Sequence, residues 1–132
     1  MMKIIFVFFT LFFLGVSCSS KDKIEVGNKT SMEINKEFKA GNVILGEEIE
    51  AVFKLKNTGS YPLIIAEVKG SCSCTVADYP EDPIAPGESG EITATVRTDN
   101  AAPGELAKEV RVVANTEPSL SILSIRANVI RK

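Results

Sequence analysis

From Met32 onward, apolar and polar residues alternate with a period of two. Ile49, Ala51, Phe53 and Leu55 alternate with Glu50, Val52, Lys54 and Lys56. Ile92, Ala94 and Val96 alternate with Thr93, Thr95 and Arg97, and Val110, Val112 and Ala114 with Glu109, Arg111 and Val113. Successive side chains of a strand point to opposite faces, so each run reads as a half-buried strand with one apolar and one wet face. In the last run Leu120 and Ile122 change phase to Leu123, Ile125, Ala127 and Val129, which predicts a bulge or bend near Ile122-Leu123. Turn sequences separate the runs: Asn57-Thr58-Gly59-Ser60, Pro86-Gly87, Pro103-Gly104 and residues 115–118. Proline presets φ for the first central position of a turn, and glycine accepts the positive φ that can follow. No segment carries a helical stripe. Short strands spaced by about 8–12 residues, with no helix between them, predict an antiparallel β-sandwich; a small barrel is the alternative, and a parallel sheet is disfavoured.

The N-terminus breaks this pattern. Lys3 precedes an apolar run, residues 4–16, in which Thr10 is the one polar interruption. A bilayer core needs about 20 apolar residues, so the run is too short to span and instead has the length of a signal-peptide core. It ends in Leu14-Gly15-Val16-Ser17-Cys18, which resembles the lipobox of bacterial lipoproteins, with Leu14 one place farther from the cysteine than is usual. The resemblance implies cleavage before Cys18, a diacylglycerol on its sulfur and an acyl chain such as palmitate on its amine. An ordinary secretory signal cut nearby is the alternative. Ser19, rather than Asp, after the cysteine implies sorting to the outer membrane of a bacterial cell envelope, with the leaflet left open. The expected organisation is therefore a lipoprotein signal peptide (1–17), a lipid-anchored polar tether (18–31) and a β-sandwich domain (32–132). Ile24 and Val26 are candidates for a further short strand. Two or more acyl chains would hold the chain stably on a membrane, where one binds only marginally.

Composition removes several classes of function. The 132 residues allow one domain. With no His there is no Ser-His-Asp or Cys-His hydrolase and no His-ligated zinc centre. A net charge of −2 without a long basic run argues against a nucleic-acid partner. No nucleophile, base and orienter can be assembled from the motifs present, so the chain is not expected to be an enzyme or to carry a cofactor.

The sharpest chemical feature is Cys72-Ser73-Cys74. In an extended strand these two cysteines point to one face, which suits a soft-metal site, a redox pair or a disulfide. With Cys18 acylated they are an even pair in an oxidising compartment. A fully extended pair spans about 7 Å between α-carbons, the upper limit for a disulfide. A turn over residues 71–75 would bring the two into range at the cost of strain and easier reduction. Two thiolates could hold Cu(I), although no His assists them and Met32 is distant in sequence. Zinc would need about four ligands. The plainest alternative makes both cysteines small, partly buried strand or turn residues without activity. Asp78, Glu81 and Asp82 gather in a Pro-rich loop, but their spacing matches no standard calcium loop. Without Trp a sugar-stacking cleft is not expected, and Phe38 and Phe53 read as core.

Several segments together resemble a family of exported bacterial immunoglobulin-like domains of unknown function. They are Phe38-Lys39-Ala40-Gly41-Asn42-Val43, Gly46-Glu47, Phe53-Lys54-Leu55-Lys56-Asn57-Thr58-Gly59, Pro62-Leu63-Ile64-Ile65, Ser71-Cys72-Ser73-Cys74-Thr75 and Pro83-Ile84-Ala85-Pro86-Gly87, followed by a final strand over 120–129. The resemblance covers about residues 34–130 and departs at Ser73, where the family more often has Gly. It is also similar to Hydin-type immunoglobulin-like modules, which are commonly adhesive or structural. It implies an all-β immunoglobulin-like sandwich of about seven or eight strands. The function to expect is a lipid-anchored binding or structural module that meets a protein or envelope partner, and the membrane through Cys18. Ile64, Val113 and the 71–82 loop are the candidate contact points. A copper-binding or thiol-redox accessory role for Cys72 and Cys74 is the alternative.

Overall fold

Where the alternation places them, strands form. The computed structural model describes residues 27–132; Cys18, the lipobox, Ile24 and Val26 lie outside the described residues. The strands are β1 (Met32–Ile34), β2 (Glu37–Ile44), β3 (Glu48–Asn57), β4 (Ile65–Gly70), β5 (Thr75–Asp78), β6 (Ser89–Arg97), β7 (Gly104–Ala114) and β8 (Leu120–Ile130). They make two four-stranded sheets, β1-β3-β6-β5 and β2-β8-β7-β4, packed face to face as an immunoglobulin-like sandwich.

The inward set is the one the period predicts. Ala51, Phe53, Ile92, Ala94 and Val96 of the first sheet are fully buried against Val110, Val112 and Leu123 of the second. Phe38 of β2 meets Phe53 of β3 edge to face, with ring centroids 6.3 Å apart, and so ties the two sheets at one edge. Leu63 and Ile84, in loops, exchange backbone hydrogen bonds of 2.8 and 2.9 Å and bury both side chains beneath the sandwich rim. At Pro86-Gly87 the Glu88 N–H donates to Ala85 O at 3.0 Å and Gly87 has φ 82°. A positive φ at that position of a Pro-Gly turn is open to glycine without steric cost.

Three features differ from the pattern-based expectation. The first is one parallel pairing, β2 with β8. Thr30 bridges Thr116 in parallel and Ile44 pairs Ile130, so the whole 30–44 segment runs beside 116–130. On the way it lends β1 to the first sheet through an antiparallel pairing with β3. One edge segment thus serves both sheets, an arrangement that alternation alone does not encode.

Second, there is no bulge at Ile122-Leu123. The β7–β8 ladder runs unbroken from Gly104↔Val129 to Val113↔Leu120. Strict two-residue parity therefore turns Leu120 and Ile122 outward, each 39% exposed, while Leu123 and Ile125 face the core. The phase change reflects apolar residues on both faces of one strand, because an apolar side chain can be tolerated at a surface. The register shifts fall elsewhere, at Ala40 between Lys39 and Gly41 on β2 and at Ala66 between Ile65 and Glu67 on β4. Third, the 71–82 stretch is more than a loop: residues 75–78 form β5, paired antiparallel with β6 at the sheet edge.

Candidate functional site

β4 is an edge strand of one sheet and β5 an edge strand of the other, so residues 71–74 carry the chain across the side of the sandwich. The crossing is held to both sheets. Ser71 N–H donates to Glu109 O at 2.8 Å, and Glu109 N–H donates to Ser71 Oγ at 3.2 Å. On the other side Arg97 N–H donates to Cys74 O at 3.0 Å. Between them Thr75 N–H donates to Cys72 O at 3.1 Å and closes a turn. The turn shortens the Cys72–Cys74 α-carbon distance to 5.3 Å, and the two sulfurs are joined in a disulfide. That separation falls inside the range a disulfide accepts, where an extended pair would sit at its limit. Gly70 makes the tight crossing feasible: a Cβ there would lie 2.6 Å from Thr75 Cβ and 2.7 Å from Thr75 O.

Thr75 is buried beneath the pair. Its Oγ1 is 3.6 Å from Cys72 Sγ and 4.0 Å from Cys74 Sγ. A disulfide sulfur carries no proton, so the hydroxyl is the donor in either contact. Bonded in this way, neither sulfur is a thiolate, and a soft metal at Cys72 and Cys74 would require the reduced pair. Among the described residues no group of three or more His, Cys, Asp or Glu is placed to hold a metal ion. Asp78, Glu81 and Asp82 are exposed.

Beside the disulfide lies a cleft of about 460 Å³. Ser73 and Cys74 form one wall, Arg97 and Asp99 come from the end of β6 and the following loop, and Glu105, Leu106 and Lys108 come from β7. Cys72 is not part of its lining. The wall therefore combines two cations, two anions, an apolar side chain and one cysteine of the disulfide. No local motif announces Arg97, Leu106 or Lys108 as neighbours of Cys74. They meet only because β5 pairs with β6 and the turn leans on β7. A larger groove, about 710 Å³, runs over Ile34, Lys54, Leu55 and Gly90 on the other side and holds no cysteine.

The candidate contact residues divide. Ile64 and Val113 are half-buried rather than open. The large apolar side chains that do stand out include Val76 (65% exposed), on β5 beside the disulfide turn, and Leu120 and Ile122. Val113 pairs with Leu120 across the β7–β8 ladder and Arg111 pairs with Ile122, so Val113, Leu120 and Ile122 form one apolar spot on the outer face of the second sheet. The outward alternation of 120 and 122 was legible in the sequence, but only to a reading that let an apolar residue face outward.

Solved structures share this fold at low identity, which bears on architecture alone. A protein of unknown function from Porphyromonas gingivalis W83 is 20% identical with a TM-score of 0.67, over 77% of this chain and 48% of that one. The chain thus spans about half the length of that protein. The ASH/PapD-like domain 7 of human CEP192 is 14% identical with a TM-score of 0.63, over 79% of this chain and 88% of that one. A segment of the secreted serine protease VesC from Vibrio cholerae is 8% identical with a TM-score of 0.59, over 76% of this chain and 23% of the protease. No curated protein matches the sequence. Residues 30–129 match the family described as protein of unknown function (DUF1573), and the chain belongs to that family.

Proposed function

We propose that the chain is a non-catalytic binding module of the bacterial cell envelope, tethered to the outer membrane by lipid on Cys18, that holds a protein partner against the outer face of its second sheet. The observation that carries this is the apolar spot of Val113, Leu120 and Ile122. Charge flanks the spot on its β4 side: Glu67 pairs with Val113, and Lys69 with Arg111. An apolar centre with charge at its rim is the anatomy of a modest protein interface. The cost of leaving Leu120 and Ile122 in water is repaid when a partner covers them.

The topology supports a tethered reading. The chain enters the domain at Thr30, which bridges Thr116 beside the β7–β8 turn. Fully extended, the roughly 12 residues from Cys18 to Thr30 reach at most about 40 Å. That is enough to hold the spot within reach of envelope proteins close to the membrane.

The test places a photoreactive amino acid at Ile122 in intact bacterial cells, with a second copy at exposed Asn128 as control. A discrete protein adduct at 122 that is lost at 128, and lost again when Cys18→Ala releases the chain from the membrane, supports the reading. An adduct to lipid alone, or none, overturns the protein partner; a Cys18→Ala chain that stays membrane-bound overturns the anchor.

A further inference from the structure

We infer that the Cys72–Cys74 disulfide is a thiol-exchange site, at which a cysteine thiolate of a dithiol-bearing peptide attacks Cys74 Sγ from the cleft and Cys72 leaves. Exchange at a disulfide needs the incoming sulfur in line with the bond that breaks, so the attacked sulfur is the one with open space beyond it. Cys74 lines the cleft of about 460 Å³ and Cys72 does not. Cys72 Sγ is also the sulfur nearer the Thr75 hydroxyl, at 3.6 Å against 4.0 Å for Cys74. That hydroxyl is buried and has a proton to donate, so it stabilises negative charge as it develops on Cys72. The two observations are independent, and they assign the same polarity to the bond.

The electron balance is complete with a dithiol partner. The first partner thiolate forms a bond to Cys74 Sγ; the Cys74–Cys72 bond breaks and its electron pair stays on Cys72 as thiolate. The second partner thiolate then attacks the partner sulfur of the mixed disulfide and expels Cys74 as thiolate. The partner loses two electrons and becomes a disulfide, Cys72 and Cys74 gain them, and the protons of the partner's two thiols end on the cysteine pair or in solvent. The cleft suits a peptide rather than an ion. Leu106 offers apolar contact, and the lining carries two cations, Arg97 and Lys108, and two anions, Asp99 and Glu105, so neither sign dominates. The crossing is also anchored on both sides of the disulfide, through Ser71 to β7 and through Cys74 to β6, so the bond can open while the strands stay paired.

The experiment uses the full chain in detergent, oxidised, with glutathione as the probe thiol and a two-cysteine peptide as the dithiol. Acid quenching followed by mass mapping is expected to find the mixed disulfide on Cys74 at about tenfold excess over Cys72. Thr75→Val, which keeps the shape and removes the hydroxyl, is expected to slow exchange about fivefold without moving the adduct. Ala102→Trp, at the exposed cleft rim, is expected to slow the peptide more than glutathione. An adduct on Cys72, or equal adducts, overturns the proposal. So does reduction that occurs only at the rate of global unfolding in urea, which marks a buried structural bond. Should Thr75→Val fail to fold, the adduct position in the unaltered chain still decides.

Discussion

Asn57 is the side chain on which one end of the sandwich closes. It is fully buried, and its carboxamide uses its whole hydrogen-bonding capacity. Oδ1 accepts from Thr30 Oγ1 at 2.9 Å and from Gly59 N at 3.1 Å; Nδ2 donates to Tyr61 O at 2.7 Å and to Ile84 O at 2.9 Å. Read along the chain, Asn57-Thr58-Gly59 is a turn; in space it also fastens the entering segment and the Leu63–Ile84 rim to β3. Asn115 does the same at the neighbouring corner, accepting from Ile64 N at 2.7 Å and donating to Asn28 O and Pro62 O at 3.0 and 2.9 Å. Asn57→Ala removes the side-chain partner of four groups, two of them carbonyls inside the fold. It is expected to cost about 3 kcal/mol of unfolding free energy in urea. Asn42→Ala breaks only the exposed bond from Asn128 and is expected to stay within about 0.5 kcal/mol. Equal effects for the two would show that the Asn57 network carries no special weight.

At the scale of elements, β8 offers the cleanest test of register. If the β7–β8 ladder is unbroken, Leu123 is core and Ile122 is not, although they are adjacent and equally apolar. Leu123→Ala is expected to lose about 3 kcal/mol through transfer and cavity terms, and Ile122→Ala under about 1 kcal/mol. A bulge between them would reverse or level that contrast in denaturant unfolding. This pair of residues also marks how far the fold could be read from the chain. The inward sets of β3, β6 and β7 follow directly from alternation, because each has one apolar face and one mostly polar face. β8 misleads because its outward face opens with Leu120 and Ile122, and periodicity cannot tell a surface apolar residue from a slip of phase. β5 hides for a different reason: Thr-Val-Ala-Asp is too short to show a period, and its pairing with β6 supplies the definition. The parallel β2–β8 pairing is a matter of topology, set when the 30–44 segment crosses between sheets. The candidate site divides along the same line. The two cysteines and their turn are local and legible, whereas Arg97, Leu106 and Lys108 reach the cleft through strand order.

For the molecule as a whole, the question is whether the disulfide holds the sandwich together or merely sits on it. Cys72 and Cys74 are two residues apart, so the loop they close is nearly the smallest a chain can make. Chain-entropy reasoning assigns such a loop about 1.5 kcal/mol, well below what a long-loop bridge supplies. The core, by contrast, is continuous across both sheets, from Phe53 and Ile92 to Val112 and Leu123. The crossing is also held to β6 and β7 by backbone bonds that do not run through the sulfurs. The Cys72→Ser/Cys74→Ser double variant is therefore expected to fold with the same strand content, losing about 1–2 kcal/mol in urea unfolding relative to the oxidised chain. Reduced unaltered chain is expected to fall at the same midpoint as the double variant. Survival of the fold would leave the cysteine pair free for exchange, because a bond that opens without unfolding the domain can cycle. Collapse of the double variant would make the disulfide a staple, and the reason for its place between two sheet edges would then be stability alone.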